Sequence, residues 1–131
     1  MILDLLSDLL ARLNNGYRAK LTSIIVLKSR QTLIVLSLLV RLGYISGFKI
    51  LNSRNVCVYL SYYHNQPAIR KLERISKPSQ RIYFSVRDLN NRSATAQKTL
   101  GFYILSTTSG IITDVESLLL GIGGEVLFHV A

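Results

Sequence analysis

Several residue types on which common functional sites depend are scarce in the 131-residue sequence. Cys57 is its only cysteine, so an intrachain disulfide and a cysteine-based zinc site are excluded, and we predict a packed, inert thiol. The two histidines, His64 and His129, have no partner at a spacing typical of metal ligands. We therefore predict no metal site and no cofactor, and we interpret His64 as a loop residue.

Long apolar runs are also missing. The longest, Leu33 to Val40, is interrupted by Ser37 and is too short to cross a bilayer, so no membrane partner is predicted. The first residues include Asp4 and Asp8 and no arginine before Arg12, whereas transit peptides are rich in arginine and poor in acids. We expect neither a membrane span nor a targeting peptide.

Acidic residues are few, and their distribution is uneven. The chain has 16 basic and 7 acidic residues, a formal net charge of +9, which favours a polyanionic partner such as nucleic acid. Every lysine and arginine lies between Arg12 and Lys98, where only Glu73 and Asp88 oppose them. Beyond Lys98 there is no lysine or arginine, while Asp114, Glu116 and Glu125 remain. We therefore expect the closing segment to contact nucleic acid through hydrogen-bond donors other than ammonium or guanidinium groups.

The length suits one compact unit or two small lobes, and the polar turn after His64 is a candidate boundary between lobes. The first lobe, residues 1–64, is predicted to have the element order α-β-α-β-β. Its expected elements are a leucine-striped helix ended by Asn14-Asn15-Gly16, a strand from Ser23 to Lys28, a helix from Arg30 to Leu42 capped by Ser29 and ended by Gly43, and hairpin strands Tyr44–Leu51 and Val56–Tyr62.

The second lobe, residues 65–131, is predicted to be mostly β with one short helix. Thr113 and Glu116 have capping-box spacing, so a helix should start at Asp114 and end before Gly121. The other expectations are strands Ile69–Ile75 and Arg81–Arg87 forming a hairpin, a polar loop from Asp88 to Lys98, a strand from Phe102, and a final strand from Glu125.

Two turns in the second lobe are candidate binding elements. Ser106 to Gly110 is rich in hydroxyls, and Gly121 to Glu125 is rich in glycine, for which we expect unusual backbone dihedrals at Gly123-Gly124. The predicted basic hairpin carries Lys77, Arg81 and an outward Tyr83, which suits contact with RNA. A solvated hairpin whose charges serve only solubility is an equally good interpretation.

The chain resembles the family of small-subunit ribosomal protein eight, the bacterial S8 type, almost from end to end. The resemblance is carried by Arg12–Gly16, Gly43–Lys49, Ile75–Pro78, Arg81–Tyr83, Leu100-Gly101, Ser106–Gly110, Thr113-Asp114 and Gly121–Val126. It implies a two-lobed α+β protein that is not an enzyme. Such a protein would bind small-subunit ribosomal RNA, help to assemble the central domain and contact neighbouring ribosomal proteins, with no small-molecule substrate.

The resemblance also implies site residues. The principal RNA contact would be Ser106, Thr107, Thr108, Ser109, Gly110, Gly123, Gly124 and Glu125, with Glu125 mainly structural within its own loop. Backbone contacts would come from Arg12, Asn15, Arg18, Lys28 and Arg30 in the first lobe. Two departures stand out: Ser109 where bacterial members carry Lys, and Leu118–Leu120 where they are basic or Ala-rich, which suggests a protein neighbour or tighter packing.

The sequence leaves open the compartment and two alternative functions. A composition biased towards Leu, Ile, Ser, Tyr and Asn fits an A+T-rich organellar gene and hence a mitochondrial protein, with plastid or bacterial cytoplasm as alternatives. A general basic RNA-binding or RNA-chaperone module would share the charge. A small hydrolase using Ser109, His129 and Asp114 is a third class, although neither histidine has a signature context.

Overall fold

The computed structural model describes residues 5–95 and 101–131. Backbone contacts divide the chain into a first unit that ends at Arg70 and a second unit, Lys71 to Ala131. This division falls a few residues beyond the predicted boundary at 64/65, because residues 66–67 pair with Tyr62–Tyr63 and Ile69 is buried. The α+β class is confirmed, while the assignment of 1–64 and 65–131 as domains stays a prediction.

The first unit is a three-stranded antiparallel sheet, in the order β1-β3-β2, with α1 packed on β1 and α2 on β2. Alternate strand residues such as Ile24, Val26, Val56 and Val58 are buried, so one face of the sheet forms the core with the helices. Its elements are α1 (Leu5–Arg18), β1 (Ser23–Leu27), α2 (Arg30–Leu42), β2 (Ile45–Ile50), β3 (Asn55–Leu60) and the short hairpin strands β4 (Tyr62–Tyr63) and β5 (Gln66–Pro67).

Local capping defines both ends of α2, as predicted. The Ser29 hydroxyl accepts a hydrogen bond from the Thr32 amide at 3.0 Å, which satisfies one of the unpaired amides of the first turn. Gly43 ends the helix with a φ of +85°, and its amide donates to the Val40 carbonyl at 3.0 Å.

The predicted end of α1 at Asn14-Asn15-Gly16 is wrong, because the helix continues to Arg18. A Cβ on Gly16 would lie 2.7 Å from the Ile24 Cγ2 atom, so the glycine provides space for the helix to approach β1. The next residue, Tyr17, is buried and donates its hydroxyl to the Tyr44 carbonyl at 2.6 Å. Burial raises the pKa of the Tyr17 phenol. Tertiary packing thus overrides the local stop signal.

The second unit is built around its last strand, β10. The sheet order is β6-β10-β8-β9, and β7 also pairs with β10, on the edge that β6 uses. Phe84, Leu89, Leu105 and Val126 form a buried core cluster on this sheet. The elements are β6 (Leu72–Arg74), β7 (Tyr83–Phe84), α3 (Val86–Thr95), β8 (Phe102–Thr107), β9 (Gly110–Thr113), α4 (Asp114–Leu120) and β10 (Gly124–Val130).

The basic hairpin predicted between Ile69 and Arg87 is wrong. Instead of pairing with each other, β6 pairs with residues 128–130 and β7 with residues 124–125, both antiparallel to β10. The chain between them makes a tight turn closed by a Lys77–Gln80 bridge. The Ser76 hydroxyl accepts the Ile82 amide at 2.8 Å and fixes the base of this turn. β6 and β7 do not pair with each other because β10 is long enough to pair with both short strands in succession.

The polar loop predicted from Asp88 is also wrong, because α3 occupies residues 86–95. The Ser85 amide donates to the Asp88 carboxylate at 3.0 Å and the Asp88 amide donates to the Ser85 hydroxyl at 3.2 Å, which is a capping box. Leu89 supplies the buried contact. The end of the predicted loop, residues 96–98, lies outside the described residues.

The short helix α4 is confirmed with both of its ends. The Thr113 hydroxyl accepts the Glu116 amide at 3.2 Å, and Gly121 ends the helix at a φ of +71°. The strands predicted from Phe102 and at Glu125 are confirmed as β8 and β10. The intervening strand β9, which follows the hydroxyl-rich turn, was not predicted.

Candidate nucleic-acid interface

Neighbouring strands bring the two predicted turns into one row of side chains. Glu125 of β10 pairs with Ser106 of β8 on one side and with Tyr83 of β7 on the other. Residues directly opposite each other in an antiparallel sheet project from the same face. Tyr83, Glu125 and Ser106 therefore lie side by side, and the Tyr83 side chain at one end is 63% exposed. Ile111, which pairs with Ser106, extends the row into β9.

The hydroxyl-rich segment is a tight hairpin turn. Thr107 pairs with Gly110, and Thr108 and Ser109 form the two-residue connection. The Thr107 hydroxyl donates to the Gly110 carbonyl at 2.9 Å and accepts the Ser109 amide at 3.1 Å. This hydroxyl therefore holds the turn, whereas the exposed side chains of Thr108 and Ser109 are available to a partner.

Gly123 and Gly124 allow neighbouring strands to approach closely, and they do not adopt unusual backbone dihedrals. Neither has a positive φ, which corrects the sequence-based expectation. A Cβ on Gly124 would lie 2.3 Å from the Ser106 carbonyl oxygen, and one on Gly123 would lie 2.4 Å from the Phe84 carbonyl oxygen. The absence of two side chains thus lets the start of β10 fit between β7 and β8 and sets the spacing of the row.

A cation does reach the closing motif, although the sequence there contains none. Arg81 Nη1 lies 3.0 and 3.2 Å from the two carboxylate oxygens of Glu125. The Glu125 side chain is only 15% exposed, while that of Arg81 is 59% exposed. Hydrogen bonding to Glu125 and its negative charge raise the pKa of the Arg81 guanidinium. Glu125 therefore forms its ion pair with Arg81 of the preceding segment and not with a group of its own loop. The guanidinium compensates the negative charge of the carboxylate.

The five candidates in the first unit do not form one cluster. Arg12 is held within the unit, since Nε donates to Asp8 and Nη1 to the Ile25 carbonyl, each at 2.9 Å. Lys28 and Arg30 follow β1, whereas Arg18 precedes it, so β1 separates them by roughly 17 Å at 3.3 Å per residue. Asn15 and Arg18 are exposed near the end of α1.

Sequence reasoning missed Arg54. The Lys28 amide donates to the Arg54 carbonyl at 2.7 Å, so the β2–β3 turn adds a third cation beside Lys28 and Arg30. The available signal was the basic residue within the predicted hairpin turn Asn52 to Asn55. These three residues form the basic end of the first unit.

The three residues of the hydrolase alternative are not assembled together: the His129 imidazole acts electrostatically on the Asp114 carboxylate, but Ser109 is remote from His129. His129 pairs with Tyr103 near the start of β8, while Ser109 lies beyond Thr107 at the other end of that strand. At about 3.3 Å per residue, more than 13 Å of strand separates the hydroxyl from the imidazole. A nucleophile and its base must be within hydrogen-bond reach, so this arrangement does not activate Ser109.

The described residues also bear on metal binding and membrane insertion. Within residues 5–95 and 101–131, no group of three or more His, Cys, Asp or Glu side chains is positioned to hold a metal ion. Among the helices in these ranges, none is both long enough and apolar enough to span a membrane.

The fold and this surface define a small, basic α+β protein with a polar, glycine-spaced face. The family model described as ribosomal protein S8 matches residues 4–131 of the chain. The small ribosomal subunit protein uS8m of Acanthamoeba castellanii is 40% identical over 98% of this chain and 99% of its own length. The small ribosomal subunit proteins uS8 of Zymomonas mobilis and Dichelobacter nodosus are 39% and 33% identical, and the matches cover 96% and 100% of those proteins. The chain therefore belongs to the ribosomal protein S8 family, whose members are structural rather than catalytic.

Proposed function

We propose that the protein is a structural constituent of the small ribosomal subunit that binds small-subunit ribosomal RNA directly. The observation that carries this proposal is the row Tyr83–Glu125–Ser106 beside the exposed Thr108–Ser109 turn. Hydroxyls, an exposed aromatic ring and a neutralised carboxylate form a surface suited to shape-dependent RNA recognition. Family membership supports the same conclusion.

Each part of this surface has a chemical role in the proposal. Thr108 and Ser109 donate hydrogen bonds to phosphate oxygens or 2′-hydroxyls, and the Tyr83 ring stacks on an unpaired base. Glu125 retains acceptor lone pairs for a 2′-hydroxyl or a base amino group, while Arg81 offsets the repulsion that a bare carboxylate would meet beside phosphates.

The basic residues contribute affinity without sequence preference. We propose that Lys28, Arg30 and Arg54 at the basic end of the first unit neutralise phosphates and make binding depend on salt. We assign the central domain of the small-subunit RNA as the cognate target and the mitochondrion as the compartment; the full-length similarity to a uS8m protein supports the compartment.

A neighbouring ribosomal protein is proposed to bind α4. Leu118 packs against the core cluster, but Leu119, Leu120 and Val115 are 81%, 59% and 53% exposed. Asp114 and Glu116 lie on the same helix, and no lysine or arginine follows Lys98 in the chain. This apolar and acidic surface is poorly suited to RNA and favours a basic protein segment.

The test uses the double variant Thr108→Val/Ser109→Ala, which removes two exposed hydroxyls that are not engaged in holding the turn. We expect affinity for a central-domain junction RNA to fall about tenfold, since two hydrogen bonds to RNA are lost at roughly 0.5–1.5 kcal/mol each. Binding to a random duplex should change by less than about twofold. Filter-binding titrations measure both.

Ser37→Ala is the matched control, because it removes an exposed hydroxyl from α2 in the first unit. It should leave both affinities unchanged. An equal loss on junction and duplex by the double variant would instead support the general RNA-chaperone alternative and contradict the proposal.

A further inference from the structure

A cleft of about 370 Å³ lies wholly within the first unit, between the end of α1 and the segment that follows β5. Its volume falls within the roughly 300–1,000 Å³ typical of sites for small ligands. Its lining residues are Asn14, Tyr17, Arg18, Pro67, Ile69 and Arg70. None of the functions proposed above uses this cleft as a site.

The floor of the cleft is apolar and rigid. Tyr17 and Ile69 are each only 5% exposed. The Tyr17 hydroxyl donates to the Tyr44 carbonyl and accepts the Ser61 amide at 3.1 Å, and its ring packs edge to face on Tyr62. Pro67 is fixed by pairing with Tyr62 in the short hairpin. The floor is therefore held in place by hydrogen bonds and packing, and half-buried Pro67 is its most accessible apolar side chain.

The walls of the cleft are cationic. Arg18 and Arg70 are both exposed and approach the cleft from different elements, and Asn14 lies one helical turn before Arg18 on the same face of α1. Within the part of the chain that the structure describes, neither guanidinium has a carboxylate at ion-pair distance, and no acidic residue lines the cleft. A cation in the last turn of a helix is stabilised by the helix dipole, which is a structural reason for an arginine at position 18. Arg70 lies outside any helix, so the dipole gives no structural reason for its charge.

We propose that this cleft binds one nucleoside phosphate unit of an RNA chain, with the phosphate between Arg18 and Arg70 and the sugar or base on Pro67 and Ile69. Guanidinium forks match phosphate oxygens in geometry and charge. This inference rests on the proposed function for the identity of the chain that brings the nucleotide. The cleft would give the first unit a localised contact in addition to the diffuse attraction of its basic end.

The experiment titrates the full chain with pentauridylate, adenosine monophosphate and inorganic phosphate, and follows the Ile69 methyl and Tyr17 ring signals by NMR. We expect pentauridylate and adenosine monophosphate to shift both signals, and pentauridylate to bind more tightly because further phosphates flank the bound unit. Inorganic phosphate can occupy only the position between Arg18 and Arg70, so it should bind more weakly and shift both signals less. Equal shifts with phosphate alone, or binding of the mononucleotide without the oligonucleotide, would overturn the proposal.

Variants locate the site. Arg18→Gln and Arg70→Gln should each weaken pentauridylate binding about tenfold, since each removes a charge-assisted hydrogen bond. Lys49→Gln is the matched control, because Lys49 is an exposed cation of the same unit that does not line the cleft, and it should weaken binding by less than about twofold. Equal effects of all three variants would show diffuse attraction and contradict a built site.

The cleft proposal and the proposed function can fail independently, and the variants separate the two outcomes. Thr108→Val/Ser109→Ala should leave pentauridylate binding intact while it weakens binding of the junction RNA. If Arg70→Gln has no effect on pentauridylate and the junction selectivity persists, only the cleft proposal is wrong.

Discussion

Gly124 shows how a missing side chain shapes the candidate surface. The position has an ordinary backbone conformation, so flexibility is not what it contributes. The nearest atoms to an added Cβ are the Ser106 carbonyl oxygen at 2.3 Å, the Thr107 Cγ2 atom at 2.8 Å and the Ser106 carbonyl carbon at 3.0 Å. Two of these belong to the backbone of β8, which moves only if the β8–β10 pairing changes. The glycine therefore fixes the separation on which the alignment of Ser106 and Glu125 depends.

We expect Gly124→Ala to lower the free energy of unfolding by roughly 1–3 kcal/mol, the usual range for overpacking a close contact. Gly47→Ala is the control, since a Cβ there meets nothing within 4 Å and its φ is not positive. It should be neutral or slightly stabilising. Urea unfolding of the two variants and the parent chain measures the difference. Equal stability of all three would mean that β8 yields to the added methyl group at little cost.

At the scale of elements, the sequence predicted best where both ends of an element are set locally. The helices α2 and α4 have a hydroxyl cap, an apolar stripe and a terminal glycine within one stretch of chain, and their predicted limits are confirmed. The segments around β6 and β7 could not be predicted in this way, because their pairing depends on β10, more than forty residues away. The partnering of Glu125 by Arg81 was missed for the same reason.

The helix α3 is a different kind of miss, since its signal was present in the sequence. Ser85 and Asp88 have capping-box spacing just before Leu89, but the polar composition that follows suggested a loop. Similarly, the Asn-Asn-Gly stop in α1 is a valid local signal that packing against β1 overrides. Local signals thus predict the existence of a helix better than they predict where tertiary contacts let it end.

Asp88→Ala should therefore destabilise the second unit by about 1 kcal/mol, because the Ser85 amide loses its acceptor at the start of α3. Asn90→Ala is the control, as it removes an exposed polar side chain from the same helix without touching the cap. It should be neutral or slightly favourable, since alanine has the higher helix propensity. Hydrogen exchange of the Ser85 and Leu89 amides measures the local effect. Unchanged exchange in Asp88→Ala would show that Leu89 alone holds the helix.

For the molecule as a whole, charge and polar recognition are assigned to different parts of the chain. All 16 lysines and arginines precede residue 99, and the row built from β7, β8 and β10 receives its cation from Arg81 of the preceding segment. Counterion release by phosphate contacts makes affinity fall with salt, whereas hydroxyl and stacking contacts depend on it weakly. Long-range attraction and discrimination should therefore respond separately to mutation.

This separation can be measured with two double variants in the same salt series. Lys28→Gln/Arg30→Gln removes two exposed or half-exposed cations from the basic end of the first unit, so the slope of log affinity against log salt should flatten by roughly 1.5. The ratio of junction to duplex affinity at any one salt concentration should stay the same, because both RNAs lose the same phosphate contacts. Thr108→Val/Ser109→Ala should do the reverse, lowering the ratio about tenfold and leaving the slope unchanged. If each variant alters both the salt slope and the affinity ratio, attraction and discrimination are not divided between the two units. The contribution of the polar row would then depend on the basic residues instead of being independent of them.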